Sequence, residues 1–365
     1  MGNILILDIG NSNTKCYVFE IRDRDISTAE LRHEEHQKTN RGHPWDLVDT
    51  CKNMFTRAIE AAAPDYAIIT SFGDAFVYYD PKRNNRPRFV FADEPVETLI
   101  DSDYSITGFP TGKIALTGIK SLRAKHQAKW NQIVPINIFM GRELGDNANW
   151  WSWDTTQASI SSEFDLSKRD WIYKSEGLTD KYNCPTGMAV DQVYCPTAEP
   201  KPRLCHPTDE IGMFKKVPIL AGGLDNGFAD ATEQTPFIVA GTWLVVSTPC
   251  KEFKPTPEQQ EFGVRWLITG NGHYHAQTVK RSKPDQNLPK TIIGHFQRTG
   301  IGCVAHQKVR VFGSYAGKLC QRMNRWSQEN ERGLTFVVSG REVSETAIYA
   351  YESRKNKRRI PIQMV

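Results

Sequence analysis

The chain has 365 residues, with 46 Lys and Arg against 42 Asp and Glu for a net charge of +4, 39% hydrophobic and 24% charged. That length suits two domains, each able to bury its own core. The small net charge gives no reason to invoke nucleic acid, and no stretch is long enough to cross a bilayer. Asp8 interrupts the first apolar run after four residues, so no signal peptide is expected. Ile6 stands where a myristoylation signal wants Ser or Thr. Eight cysteines without C-x-x-C spacing read as reduced thiols in a cytoplasmic protein. Cys184, Cys195, Cys205 and His206 have the wrong gaps for a zinc knuckle, and His273 and His275 read as a structural pair.

The first segment, Ile4-Leu-Ile-Leu-Asp8-Ile-Gly10-Asn-Ser-Asn13-Thr14-Lys15, predicts a β-hairpin whose turn carries Gly and Asn, residues that tolerate φ > 0. Such a turn points successive N–H groups into one concavity, an anion site. Lys15 adds a cation, and Asp8 a carboxylate where a phosphate-bound Mg²⁺ would sit. No G-x-x-x-x-G-K-[ST] competes with it.

Apolar spacing at Leu47, Met54, Ala58 and Ala62 predicts a helix over 44–63. A strand over 66–70 follows, running into Ser71-Phe72-Gly73-Asp74. A helix is expected at 113–130 and a strand at 134–140. Trp150, Trp151 and Trp153 precede Asp154-Thr-Thr-Gln-Ala-Ser159; aromatics beside small polar residues suit a polyol, and equally suit a tryptophan patch under a loop. Four prolines over 195–210 make the best linker, dividing the chain into 1–210 and 211–365.

Beyond it the pattern restarts. Val217–Ala221 predicts a strand, Gly222-Gly-Leu-Asp225-Asn a turn and 227–233 a helix start. Segments 237–240 and 243–247 flank Gly241-Thr242 as a second hairpin. A helix over 309–326, a strand over 334–338, a helix over 342–354 and a strand over 360–364 close the chain; the basic run 354–359 reads as a solvated helix end, with a nucleic-acid patch as the minor alternative. Both halves open with strands around a glycine turn, so duplication of one α/β unit about a cleft is the economical explanation.

Three elements line up: D-x-G-N-S-N-T-K at 8–15, A-G-G-L-D-N at 221–226 and A-G-T-W at 240–243. With them the chain resembles the FGGY carbohydrate kinases of the actin/hexokinase/Hsp70 superfamily, nearest the L-fuculokinase-like members. The resemblance implies an α/β fold of two RNase H-like (actin-like ATPase) domains, mixed sheets and helices, around a central cleft. It implies ATP and Mg²⁺ as cofactors, a small-molecule sugar substrate, and no nucleic-acid or membrane partner; a homodimer is left open. The first hairpin becomes phosphate loop one (Asp8, Gly10, Asn13, Thr14, Lys15), with Asp8 meeting Mg²⁺ through water. Gly241 and Thr242 become phosphate loop two, and Asp225 the catalytic base. Phe72, Asp74, Trp153 and Asp225 fall to substrate, and Ser339-Gly340 to the purine. The adenosine stretch, Phe336–Glu342, keeps one glycine of the family's glycine-rich turn. Of the family's W-x-D-x-R pattern, Phe91-Ala-Asp93-Glu-Pro95 keeps only the aspartate.

The chemistry fits these residue types. A sugar hydroxyl is a poor nucleophile, so a positioned carboxylate that takes its proton contributes about 10²–10⁴-fold. Asp225 follows two glycines that permit close backbone approach; its other reading is a helix N-cap. The Gly241 amide, Thr242 and Lys15 would hold or neutralise a transferring phosphoryl group. The alternatives are a degenerate actin-like nucleotide binder without transfer, or another small-molecule kinase of the superfamily, since D-I-G-N-S-N is similar to type III pantothenate kinases.

Overall fold

The computed structural model describes residues 2–22, 29–73, 75–84, 86–91, 103–110, 132–145, 152–161, 163–172, 202–225, 227–228, 235–241, 243–281, 288–300, 307–340 and 342–356. The strands are β1 (Gly2–Ile9), β2 (Asn13–Ile21), β3 (Glu30–Lys38), β4 (Tyr66–Ser71), β5 (Ala75–Asp80), β6 (Arg86–Phe91), β7 (Ile133–Pro135), β8 (Ser152–Asp154), β9 (Phe164–Asp165), β10 (Asp170–Trp171), β11 (Arg203–Cys205), β12 (Glu210–Phe214), β13 (Val217–Leu224), β14 (Phe237–Ala240), β15 (Trp243–Cys250), β16 (Val264–Ile268), β17 (Tyr274–Arg281), β18 (Gln307–Phe312) and β19 (Leu334–Val338). The helices are α1 (Pro44–Ala62), α2 (Tyr104–Thr107), α3 (Ile136–Leu144), α4 (Thr155–Ser159), α5 (Pro257–Phe262), α6 (Leu288–Arg298), α7 (Ala316–Glu329) and α8 (Glu342–Asn356).

Two six-stranded sheets organise the molecule, in the orders β12-β13-β4-β1-β2-β3 and β16-β17-β15-β14-β18-β19. In the first, β1, β2 and β3 form an antiparallel meander, and β4 and then β13 add in parallel on the far side of β1. In the second, β14, β15 and β17 repeat the meander, and β18 and β19 repeat the parallel pair. One RNase H-like α/β unit is therefore present twice. The antiparallel additions, β12 beside β13 and β16 beside β17, differ between the copies.

The alternation of β1 decides which helices cover each side of the first sheet. Leu5, Leu7 and Ile9, with Cys16, Val18, Ile69 and Ile219, pack under α1 and α3. Ile4 and Ile6, with Tyr17, Phe19, Ile68 and Leu220, meet Val343, Ala347 and Ala350 of α8. Buried on both faces, β1 reads as a continuous apolar run instead of a polar alternation. Helix α1 buries Leu47, Val48, Cys51, Met54, Phe55 and Ala58 along one stripe, starts at the side-chain cap of His43 with Pro44 in its first turn, and ends at Ala63 with φ 42°. The two halves meet through Tyr78, Tyr104, Trp153 and Trp171 against Val264, Trp266 and Ala276. Tyr104 Oη donates to the Val264 carbonyl at 2.7 Å and Trp266 N–H to the Gly108 carbonyl at 2.8 Å, so backbone polar groups are satisfied across the junction.

Several sequence expectations change. The stretch 134–140 is strand only to Pro135; α3 begins at Ile136 and lays Ile138, Phe139 and Met140 on the first sheet. Its β-branched residues favour a strand locally, and packing overrides that preference. The helix expected over 309–326 is instead β18, then Gly313 at φ 99°, then α7, because Val309 and Val311 alternate into the second core. The strand over 217–221 continues to Leu224, with a bulge between Leu220 and Gly223. The proline-rich stretch is held in place over 202–209: Trp171 Nε1–H donates to the Pro202 carbonyl at 2.8 Å, and Gly222 N–H to the Pro207 carbonyl at 2.8 Å. The division at 210/211 falls at the first residue of β12, whereas the sheets divide between β13 and β14. The elements expected at 113–130, 229–233 and 360–364 lie outside the described residues. Cys16, Cys51, Cys205, Cys250 and Cys320 are free thiols, His206 Nδ1 is taken by Thr208 Oγ1, and buried His275 shares a hydrogen bond with Ser247 Oγ. Among the described residues no helix is long and apolar enough to cross a membrane.

Candidate active site

The parallel strands β1, β4 and β13 point their carboxyl ends the same way, the edge at which open α/β sheets bind ligands. Register places Asp8 beside Thr70 and Thr70 beside Gly223, with Leu224 beside Ser71. Asp8 and the Asp225 turn thus emerge at one edge with a single strand between them, about 10 Å apart at the backbone from the usual strand spacing. The Asp225 N–H donates to the Ser71 carbonyl at 2.9 Å, tying that turn to the end of β4. Its far side is tied to the other half: Gly270 N–H donates to the Gly227 carbonyl at 3.2 Å, and Phe228 meets Tyr349 of α8 edge-on.

Asp8 is 7% exposed. Its Oδ2 receives Lys15 Nζ at 3.1 Å across the hairpin, and its Oδ1 receives the Thr70 hydroxyl at 3.3 Å. The hairpin turn does not use φ > 0 at Gly10 or Asn13. Glycine is needed there because a Cβ at Gly10 would come within 2.8 Å of the Asn13 carbonyl, which receives the Gly10 N–H at 3.0 Å. Thr39 braces the outside of the turn, its hydroxyl donating to the Gly10 carbonyl at 2.8 Å and its N–H to the Ser12 carbonyl at 3.0 Å. Since that spends the Thr39 proton, Thr14 donates its own to Thr39 Oγ1 at 3.1 Å. Thr14, expected at phosphate, is 0% exposed and spent in this brace. No described backbone acceptor engages the Asn11 or Ser12 N–H. Beside these two amides the turn carries exposed Asn13 and half-buried Lys15.

The second sheet presents its own motifs at the same kind of edge. Gly241 follows β14, and Ser339-Gly340 follow β19, two strands away across β18. The Gly241 amide, expected on phosphate, donates to the Trp243 carbonyl at 3.1 Å and closes its turn. Ser339 N–H donates to the Val311 carbonyl at 2.9 Å, and its hydroxyl accepts from Arg310 Nε at 2.8 Å. Arg310 also reaches Glu345 of α8 at 2.6 Å, so the segment expected at the purine is clamped to the helix that covers the first sheet. Gly340 is exposed, and a Cβ there would meet nothing within 4 Å.

Of the residues expected at substrate, Phe72 follows β4 half-buried, with its N–H on the Ile9 carbonyl at 3.1 Å. Trp153 does not line a surface. It is 0% exposed, stacked on Phe76 with centroids 5.2 Å apart, and its Nε1–H donates to the Ile133 carbonyl at 3.3 Å. Trp153 packs with Trp171 because the junction of the halves needs large apolar area with its polar edge satisfied. Asp74 and Thr242 lie outside the described residues.

Sequence reasoning missed what stands directly behind Asp225. Asp154, Thr156, Gln157, Asn137 and Ser71 form a polar cluster with each residue 0% exposed. Asp154 Oδ1 accepts from the Thr156 hydroxyl and from the Gln157 N–H at 3.0 Å, and its Oδ2 accepts from Asn137 Nδ2 at 2.9 Å. Burial pushes its pKa up to about 6 from 3.8, against the pull of these donors. The signal was present: small polar residues after Asp154, and two consecutive glycines opposite them at 222–223.

Among the described residues no group of three or more His, Cys, Asp or Glu is placed to share a metal. A single carboxylate at the sheet edge such as Asp8 suits Mg²⁺, which keeps most of its water. No family model matches the chain, and no curated protein matches it in sequence. Solved structures do. A ligand-bound xylulose kinase from Lactobacillus acidophilus superposes with TM-score 0.66 at 11% identity, covering 98% of this chain and 90% of that one. A glycerol kinase from Plasmodium falciparum with ADP gives 0.66 at 12% identity with the same coverage. A gluconate kinase from Lactobacillus acidophilus gives 0.63 at 11% identity, again over 98% and 90%. The fold of this chain is the two-domain actin-like fold of these sugar kinases.

Proposed function

We propose that this chain transfers a phosphoryl group from ATP to a hydroxyl of a sugar or sugar-like small molecule, with Asp225 as general base. The observation that carries this reading is the delivery of Asp8 and Asp225 to one sheet edge, on strands separated only by β4. Asp225 accepts the proton of the attacking hydroxyl as the oxygen–phosphorus bond forms and the bond to the ADP oxygen breaks. Lys15 and the Asn11 and Ser12 amides offset negative charge on the transferred group. Asp8 would hold Mg²⁺ through water, and the ion would supply charge neutralisation at the phosphates.

Single-turnover transfer from labelled ATP to a panel of pentoses, deoxysugars and polyols tests the reading. Asp225→Asn is expected to lower transfer by about 10²–10⁴-fold while leaving nucleotide affinity within a few-fold. Loss of nucleotide binding together with turnover would make Asp225 a structural aspartate. A second reading, an actin-like nucleotide binder without transfer, draws on the Ser339 hydroxyl being engaged by Arg310. It predicts nucleotide binding with no product from any acceptor.

A further inference from the structure

Resting on the reading of Asp225 as base, the geometry points to Thr156 and Asp154 as its positioning residues, acting through the last peptides of β13. Two features of β13 make such support necessary. Gly222 has φ 63° and lies so close to β4 that a Cβ on it would be 1.7 Å from the Ile69 carbonyl oxygen, and the pairing with β4 is broken by a bulge between Leu220 and Gly223, just before the aspartate. A bulge leaves ladder groups unpaired and re-aims the residues beyond it. The polar cluster takes up those groups. Thr156 Oγ1 accepts the Leu224 N–H at 2.8 Å while donating to Asp154. Asn137 Nδ2 donates both to Asp154 and, at 2.9 Å, to the Ala221 carbonyl. One carboxylate therefore orients the two side chains that hold the bulge on either side, at residues 221 and 224.

The third tie is the Ser71 carbonyl on the Asp225 N–H at 2.9 Å. Ser71 belongs to the same network, its hydroxyl directed at Asn137 Oδ1 at 3.4 Å and accepting from Gln157 Nε2 at 3.1 Å. Gly223 explains the second glycine of the motif: a Cβ there would meet Thr156 Oγ1 at 2.3 Å and Asp154 Oδ1 at 2.5 Å. The two glycines thus admit the polar cluster from one side and the β4 backbone from the other. Every polar atom aimed at Asp154 in these contacts is a donor, so the geometry calls for an ionised carboxylate.

Thr156→Val keeps the shape and removes the acceptor of the Leu224 N–H; Thr156→Ser keeps the acceptor. With the best acceptor from the panel, Thr156→Val is expected to lower kcat by about 10- to 100-fold, the scale of a 1 Å misplacement. ATP affinity should stay within about twofold, and Thr156→Ser should restore kcat. Asp154→Asn serves where Thr156→Val does not fold. It removes the buried charge, so folding is not at risk from desolvation, yet sets an amide against the Asn137 amide, and kcat should fall likewise. Wild-type kcat in folded Thr156→Val or Asp154→Asn overturns the inference, as does an equal loss in Thr156→Ser and Thr156→Val. Asp225→Asn in parallel separates the two claims: if it keeps transfer, the base assignment fails, whereas if it alone loses transfer, only the positioning role fails.

Discussion

At the scale of the residue, the motif glycines are informative because the steric demand on them ranges from absolute to none. Gly10 makes room for the Asn13 carbonyl, Gly222 holds φ 63° against the Ile69 carbonyl, and Gly340 meets nothing. Gly222→Ala should therefore destabilise the protein by about 3 kcal/mol or more, combining positive-φ strain with backbone overlap. Gly340→Ala should leave the melting temperature unchanged. A purine resting on Gly340 would show as weakened ATP binding in that same folded variant, so calorimetry of the pair reports on fold and site separately. Lys15 is a second instructive residue. Its ammonium is on Asp8 at 3.1 Å, and in the proposed reaction that cation turns to the incoming phosphate.

At the scale of the element, helix α6 and strand β17 of the second half carry buried histidines whose titration opposes folding in acid. His295 is bonded through Nε2 to Thr248 at 2.9 Å and through Nδ1 to Thr278 at 2.8 Å, and burial lowers its pKa from 6.5 to about 3. His275, beside Ser247, is likewise lowered to about 3, by burial and then by His273. Both stay neutral in the folded state, so their contribution is complete above the unfolded pKa and is lost as pH falls from about 6.5 toward 3. Each histidine costs about 1.4 kcal/mol per pH unit in that window. Asp154 works in the opposite direction: its folded pKa of about 6 exceeds 3.8, so stability rises as pH falls from about 6 to 4. Two histidines outweigh one aspartate. Urea denaturation should show lower stability at about pH 5 than at pH 7.5, with a shallower slope in His295→Gln.

At the scale of the molecule, the halves are joined by a packed aromatic core as well as by chain crossings. Strands β12 and β13 return to the first sheet, and α8 leaves the second sheet to cover the first. Trp153 lies at the centre of that junction with Trp171 edge-on at 5.6 Å. Trp153→Ala should cost about 3–5 kcal/mol in unfolding free energy, whereas Trp153→Phe should cost less. If instead Trp153→Phe raised KM for the acceptor at unchanged stability, the tryptophan would be at the substrate and the core assignment would fail. The Asp225 turn is pinned from both halves, through Ser71 on one side and Gly270 on the other.

Local patterns in the chain determined the first hairpin with Asp8 and Lys15, the stripe of α1, the second hairpin around Gly241 and the duplicated α/β plan, because period, turn chemistry and short-range pairing are written in adjacent residues. The tertiary structure alone decided that Trp153 is core, that Thr14 and the Gly241 amide are spent internally, that 136–144 is helical, and that β13 belongs with β1. It also decided what holds Asp225, since Asp154, Asn137, Ser71 and Thr156 meet only when strands and helices distant in sequence pack together. Burial and hydrogen-bond partnership depend on which segments become neighbours, and a buried donor must find its acceptor wherever the fold brings one.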